Sequence, residues 1–210
     1  MLDAQHMLKT GTTTVGVIYK DGVVLAADKR ATAGSMIADK RALKVHKITD
    51  KIAVSIAGTV SDIQLLVKLL RAELALKELR TQRSMTVKEV ANLLSGMVYQ
   101  NIRKMSLIPG VSHFLVGGVD DSGKHLYDLF ADGSLSEIED FVSSGSGSVF
   151  AFGVLESLYE NGMEEEKAVE LAEKALMAAL KRDAMSGNGI DMIVVSETKD
   201  TRMIEKKITL

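Results

Sequence analysis

The sequence predicts an α+β domain in which two mainly antiparallel sheets are stacked between two layers of helices. Three observations predict it. Strand-like and helix-like segments arrive in blocks (strands, two helices, strands, two helices, strands), not in the strict alternation of a parallel α/β fold. Several strand segments are apolar on both faces, so both faces are covered. The 210 residues, 46% of them hydrophobic, are enough for one sizeable core, and no low-complexity linker or short-period repeat divides them.

The elements follow in order. Residues 13–19 and 23–28 are rich in β-branched and apolar side chains, with Asp21-Gly22 between them. Asp-Gly between such runs is a hairpin signal. A two-residue turn there pairs Lys20 with Val23, sets Val15 opposite Asp28 and brings the Asp28 carboxylate back to the end that carries Thr12. Residues 52–57 read as a buried strand closed by Gly58. A helix follows from about Ser61, with Ile63, Leu66, Leu70 and Leu74 on one stripe and Ser61 or Asp62 as its cap. Thr86-Val87-Lys88-Glu89 is a capping box, and Val90, Leu93, Leu94, Met97 and Val98 form the stripe behind it. Pro109-Gly110 ends that region.

Strands are expected at about 113–119, 124–130 and 135–142, with a turn at Asp121-Ser122-Gly123. Residues 143–148 read as a loop feeding a helix that stops near Asn161-Gly162. A fourth helix spans about 164–183, with Glu164, Glu165 and Glu166 as a solvated start and Lys181 and Arg182 near its end, as the helix dipole favours. Strands at about 190–196 and 202–206 complete the chain.

Composition excludes several functions. A net charge of −2 argues against recognition of nucleic acid or an anionic membrane through bulk charge. The absence of cysteine removes disulfides, thiolate metal sites and a cysteine nucleophile, and fits a reducing compartment. The four histidines are scattered, with no metal-ligand spacing, and no metal or organic cofactor is expected. Gly145-Ser146-Gly147-Ser148 before a helix resembles a phosphate cradle but lacks the Gly-Lys-Ser/Thr ending of a P-loop. The eleven methionines read as core filler. No run approaches the roughly 20 apolar residues of a membrane span, and residues 1–11 lack the apolar stretch of an export signal.

One motif carries chemistry. Gly11-Thr12-Thr13-Thr14-Val15-Gly16 places a threonine after a glycine at the start of the first strand. Cleavage between Gly11 and Thr12 would give Thr12 both a hydroxyl nucleophile and a free α-amine. That amine has an ordinary pKa of about 7.7–8.0, so it can accept the hydroxyl proton near neutral pH. A threonine beside its own amine is a known replacement for a Ser-His pair. Taken alone, the run is also ordinary β-forming sequence. Lys44, set between Leu43 and Val45, is either an edge residue with its amine in water or a partly buried ammonium held by Asp28, favouring a threonine oxyanion.

These residues, with Ala27-Asp28-Lys29-Arg30-Ala31-Thr32, Leu43-Lys44, Ile56-Ala57-Gly58, Gly145-Ser146-Gly147-Ser148, Gly153-Val154-Leu155-Glu156 and Arg182-Asp183-Ala184-Met185-Ser186-Gly187, resemble in order the catalytic β-subunits of archaeal 20S proteasomes. These are threonine proteases of the N-terminal nucleophile (Ntn) hydrolase class. The resemblance spans the chain after residue 11 and implies the four-layer αββα Ntn-hydrolase sandwich over 12–210. It implies that residues 1–11 are a propeptide removed by self-cleavage between Gly11 and Thr12. It gives Thr12 the nucleophile's role, Asp28 and Lys44 that of a charge pair, and Ser146, Asp183 and Ser186 the surroundings of the amine. The Gly58 amide becomes the oxyanion donor. Thr32, Gly58 and Val60 would align a peptide as an added strand. Ala31, Ala42, His46, Ile56, Val60 and Gln64 would form the pocket for the residue before the cut. Ala42 and Ile56 point to apolar specificity, and His46 to a preference that changes between about pH 5 and 8.

By the same resemblance, the partners are other β-subunits in a seven-membered ring, α-subunit rings, a regulatory ATPase and unfolded polypeptide substrates, in the cytoplasm. Three other readings stay open: a non-catalytic subunit of the same ring, a bacterial-type double hexamer with the same nucleophile, and a small-molecule amidase of the same fold.

Overall fold

The computed structural model describes residues 11–106 and 110–208. The leader 1–10 and Pro109, on which two expectations fall, lie outside the described residues. Among those described, sixteen elements follow one another: β1 Thr13–Tyr19, β2 Gly22–Asp28, β3 Ala31–Ala33, β4 Met36–Asp39, β5 Val45–Lys47, β6 Ile52–Gly58, α1 Val60–Thr81, α2 Val87–Arg103, β7 Ser112–Asp120, β8 Gly123–Leu129, β9 Leu135–Ile138, β10 Phe141–Gly145, α3 Ser148–Leu158, α4 Glu165–Leu180, β11 Ile190–Ser196 and β12 Arg202–Lys206. One sheet runs β10-β1-β2-β11-β12 and the other β5-β6-β7-β8-β9, with β3 and β4 as a separate hairpin. The described pairings within both sheets are antiparallel.

The expected α+β sandwich is present, and alternation along the strands explains its layers. Val15, Val17, Val24 and Ala26 face α3 and α4, where they meet Leu155, Leu171 and Leu176. Val54, Ile56, Phe114 and Val116 face α1 and α2, meeting Ile63, Leu66, Leu70, Leu74, Val90, Leu94 and Val98. Ile18, Val23, Leu25 and Ala27 pack across the middle against Leu115, Leu126 and Val142. The helix α1 carries a second apolar row, Leu65, Leu69, Leu76 and Leu79, which stays 45–70% exposed.

Several boundaries depart from the sequence reading. The β1–β2 hairpin turns on Lys20-Asp21, so Tyr19 pairs with Gly22 and Val15 with Ala26. Tyr19 is buried over Gly22, where a Cβ would fall 2.7 Å from its hydroxyl and 2.0 Å from the Val195 carbonyl oxygen. The glycine serves close packing, not the turn. A two-residue slip leaves every side chain on its intended face.

The helix α1 takes Thr59 as N-cap, with no side-chain bond, because β6 runs straight into it through Gly58. The expected capping box of α2 is formed in full. The expected strand 135–142 is two strands in different sheets, β9 and β10. Ser143 and Ser144 belong to β10, paired with Val15 and Thr14, not to a loop. The helix α4 ends at Leu180, which leaves Arg182 and Asp183 in the following turn. Its start is not wholly solvated: Glu165 is buried, ion-paired with Arg202 and Lys199.

Candidate active site

The first strand and its neighbours converge at one end of the two sheets. Thr12 precedes β1 and is 5% exposed. Its carbonyl accepts the Ser146 amide at 2.8 Å, so the β10–α3 junction holds it from behind. Its hydroxyl donates to the Gly11 carbonyl at 2.7 Å, and the Gly11 amide donates to the Thr32 hydroxyl at 2.9 Å.

Asp28, at the end of β2, is fully buried and accepts four bonds. Oδ1 takes the Thr13 amide at 3.0 Å and Lys44 Nζ at 2.7 Å; Oδ2 takes the Arg30 amide at 3.0 Å and the Gly187 amide at 2.9 Å. Lys44, 6% exposed, also donates to the Arg30 carbonyl. Burial pulls the Lys44 ammonium below its ordinary pKa, and the Asp28 charge opposes that pull. The expected hairpin return of Asp28 therefore holds, two residues nearer Thr12 than the Asp21-Gly22 turn implied.

Asp183 organises the other side. Its Oδ2 accepts the hydroxyls of Ser146 at 2.6 Å and Ser186 at 2.7 Å, and Ser186 Oγ lies 2.7 Å from Thr13 Oγ1. These carboxylate bonds are of the short, strong kind. Gly58 ends β6 with φ +133°, a left-handed value, and a Cβ there would lie 2.2 Å from the Val111 carbonyl. Only glycine fits that turn.

A cavity of about 240 Å³ opens in front of Thr12. Ala31, Thr32, Ala42, Lys44, His46, Ile56, Gly58, Val60 and Gln64 all line it. The structure thus brings every residue proposed for substrate contact to one hollow, while Asp28, Ser146, Asp183 and Ser186 stand behind Thr12. His46 is held below its ordinary value of 6.5 by burial first and by Arg71 second. The shift favours the neutral imidazole at neutral pH.

Sequence reading missed Arg30, whose guanidinium bonds Asn188 Oδ1 at 2.8 Å and the Ala184 carbonyl at 2.7 Å and so ties the β2 end to the Asp183 turn. It also missed Asp39, Arg41, Leu43 and Ile63 in the cavity wall. Arg30 and Leu43 stood inside quoted motifs and Ile63 on a helix stripe; Asp39 and Arg41 had no local signal. Among the described residues, no group of three or more His, Cys, Asp or Glu side chains is placed to hold a metal. None of the described helices is long and apolar enough to cross a membrane.

Comparison with known sequences identifies the family. The proteasome subunit family matches residues 8–195. The chain belongs to that family. It is similar to the proteasome subunit beta of Methanoregula boonei, 46% identical over 95% of this chain and 92% of the relative. It is also similar to those of Methanocorpusculum labreanum, 45% identical over 96% and 93%, and Archaeoglobus fulgidus, 42% identical over 92% and 89%. The chain is accordingly a proteasome subunit of the archaeal β type, a family that assembles with other subunits into a core particle.

Proposed function

We propose that this subunit is a threonine endopeptidase of the proteasome core and that Thr12 is its nucleophile, freed by self-cleavage after Gly11. The observation that carries the reading is the buried Lys44–Asp28 pair at 2.7 Å, with Lys44 and Thr12 lining one cavity. A desolvated cation costs several kcal/mol to bury, and a cation in the cavity that Thr12 lines would favour a threonine oxyanion.

In the precursor the Thr12 hydroxyl attacks the Gly11 carbonyl carbon. The C–N bond breaks, an ester links Gly11 to Thr12 Oγ, and the nitrogen leaves as the free amine. Water then hydrolyses the ester and releases the leader. The contact between Thr12 Oγ1 and the Gly11 carbonyl places the reacting groups side by side.

In the mature subunit the amine, directly or through a water, takes the hydroxyl proton as Thr12 attacks a substrate carbonyl. The Gly58 amide supports the oxyanion, a contribution typically worth about 3–4 kcal/mol. The amine's proton goes to the leaving nitrogen, and water resolves the acyl-enzyme. The Asp183 carboxylate, with Ser146 and Ser186, orients the groups around the amine. The substrate lies as an extended strand beside Thr32, Gly58 and Val60, and the residue before the cut enters the pocket of Ala31, Ala42, His46, Ile56, Val60 and Gln64. Ala42, Ile56 and a neutral His46 favour apolar side chains there.

Seven such subunits form a ring, doubled face to face and flanked by α-subunit rings, with an ATPase feeding unfolded polypeptide in the cytoplasm. Intact mass and peptide hydrolysis of assembled particles test the reading. The wild-type subunit begins at Thr12 and hydrolyses peptides with an apolar residue before the cut; Thr12→Ala keeps the leader and is inactive. Active particles whose subunits all retain the leader would overturn it.

A further inference from the structure

A Ser-His-Asp chain stands directly behind the site and is used by none of the steps above. His113 on β7 reaches across the gap between the sheets: Nδ1 lies 2.9 Å from Ser144 Oγ on β10, and Nε2 lies 2.5 Å from Asp128 Oδ1 on β8. Phe130 covers the imidazole, ring centres 5.0 Å apart. Asp128 and Ser144 are buried. A carboxylate only accepts, so Nε2 carries a proton toward Asp128, and Nδ1 is the nitrogen that meets the Ser144 hydroxyl.

The three residues are those of a serine-hydrolase triad, but the setting is not. Ser144 is 7% exposed and sits opposite Thr14 in the β10–β1 ladder, shielded from any substrate in solution. What the chain joins is more telling. The strand β10 backs the nucleophile: Gly145 pairs with Thr13, and Ser146 binds the Thr12 carbonyl. The strand β7 backs the oxyanion donor: Ser112 pairs with Gly58 and His113 with Ala57. His113 thus links the strand behind Thr12 to the strand behind Gly58.

We propose that His113, locked by Asp128 and bonded to Ser144, is a positioning residue that sets the separation between the Thr12 hydroxyl and the Gly58 amide. Displacements well under 1 Å at such a pair change the rate, since both must meet one substrate carbonyl. The effect falls on kcat and not on KM, because the cavity wall is built from other residues.

The inference rests on Thr12 being the nucleophile, and the test separates the two. Assembled particles with the leader removed are assayed with a short fluorogenic peptide bearing an apolar residue before the cut. Ser144→Ala and His113→Gln each lower kcat about tenfold with KM within twofold. The double variant is no slower than either single one, as expected for one shared link. Ser144→Thr, which keeps the hydroxyl, restores kcat; if His113→Gln does not assemble, the Ser144 pair decides alone. Wild-type kcat in Ser144→Ala, a loss confined to KM, additive losses, or no recovery in Ser144→Thr overturns the inference. Inactive wild-type particles with complete leader removal overturn the proposed function instead.

Discussion

The Lys44–Asp28 pair makes a prediction about asymmetry. Asp28 spreads four donors over two oxygens: Thr13 amide and Lys44 Nζ on Oδ1, Arg30 and Gly187 amides on Oδ2. Removing one partner of a buried ion pair costs about 3–5 kcal/mol. Lys44→Met takes away one donor of four and leaves three amides to hold the carboxylate, so about 3 kcal/mol is expected, the lower end of that range. Asp28→Asn differs in kind. Either orientation of the amide points its NH₂ at two donors, Lys44 with the Thr13 amide or the Arg30 and Gly187 amides, and in both Lys44 loses the charge that opposed its burial. That variant belongs at the upper end, about 5 kcal/mol. Equilibrium urea unfolding of the unassembled chain measures both. An Asp28→Asn chain as stable as Lys44→Met, or more so, would refute the reasoning, because it would mean the backbone amides do not depend on the carboxylate.

Other expectations follow from single contacts. Gly11→Ala puts a Cβ 1.8 Å from Met185 Cβ, so it displaces the bond proposed to be cut and should slow leader removal, read by intact mass during assembly. Thr86→Ala removes half of the α2 capping box and costs about 1 kcal/mol in unfolding experiments. Glu89 is held at about 2, first by Arg83 and then by the Thr86 amide; with its folded pKa depressed, its contribution is present above its ordinary 4.5 and lost as pH falls toward 2. Glu89→Gln therefore lowers the unfolding midpoint at pH 7 more than at pH 3. His46 is likewise depressed, below 6.5, so its neutral form is kept at neutral pH and any cost of charging it accumulates only below 6.5. The KM for apolar peptides should be flat from pH 8 to 6.5 and rise below, and His46→Asn should flatten the acid side.

Layers, strand blocks and the α2 cap were legible because each is a local pattern: Thr86-Val87-Lys88-Glu89 needs four residues, and β11 and β12 stand at 190–196 and 202–206 as read. Part of the candidate site was legible for the same reason, since the hairpin that starts just after Thr12 carries Asp28 back beside it; Ser146, Asp183 and Ser186 were named only through the resemblance. What escaped depends on distant partners. Gly22 signals a turn until Val195 and Tyr19 are seen closing over it. Ser143 and Ser144 read as loop until β1 pairs with them. Glu165 reads as solvated until Arg202 and Lys199 arrive from the far end of the chain. His113, Asp128 and Ser144 sit on three strands from two sheets, and no spacing in sequence connects them.

The exposed row of leucines on α1 gives this helix two oily sides. Ile63, Leu66, Leu70 and Leu74 are sheltered by the domain itself, whereas Leu65, Leu69, Leu76 and Leu79 are left in water. A patch of that kind favours association over solitude. The apparent stability of the chain should therefore climb with protein concentration, to the extent that a second surface covers what the lone domain leaves open.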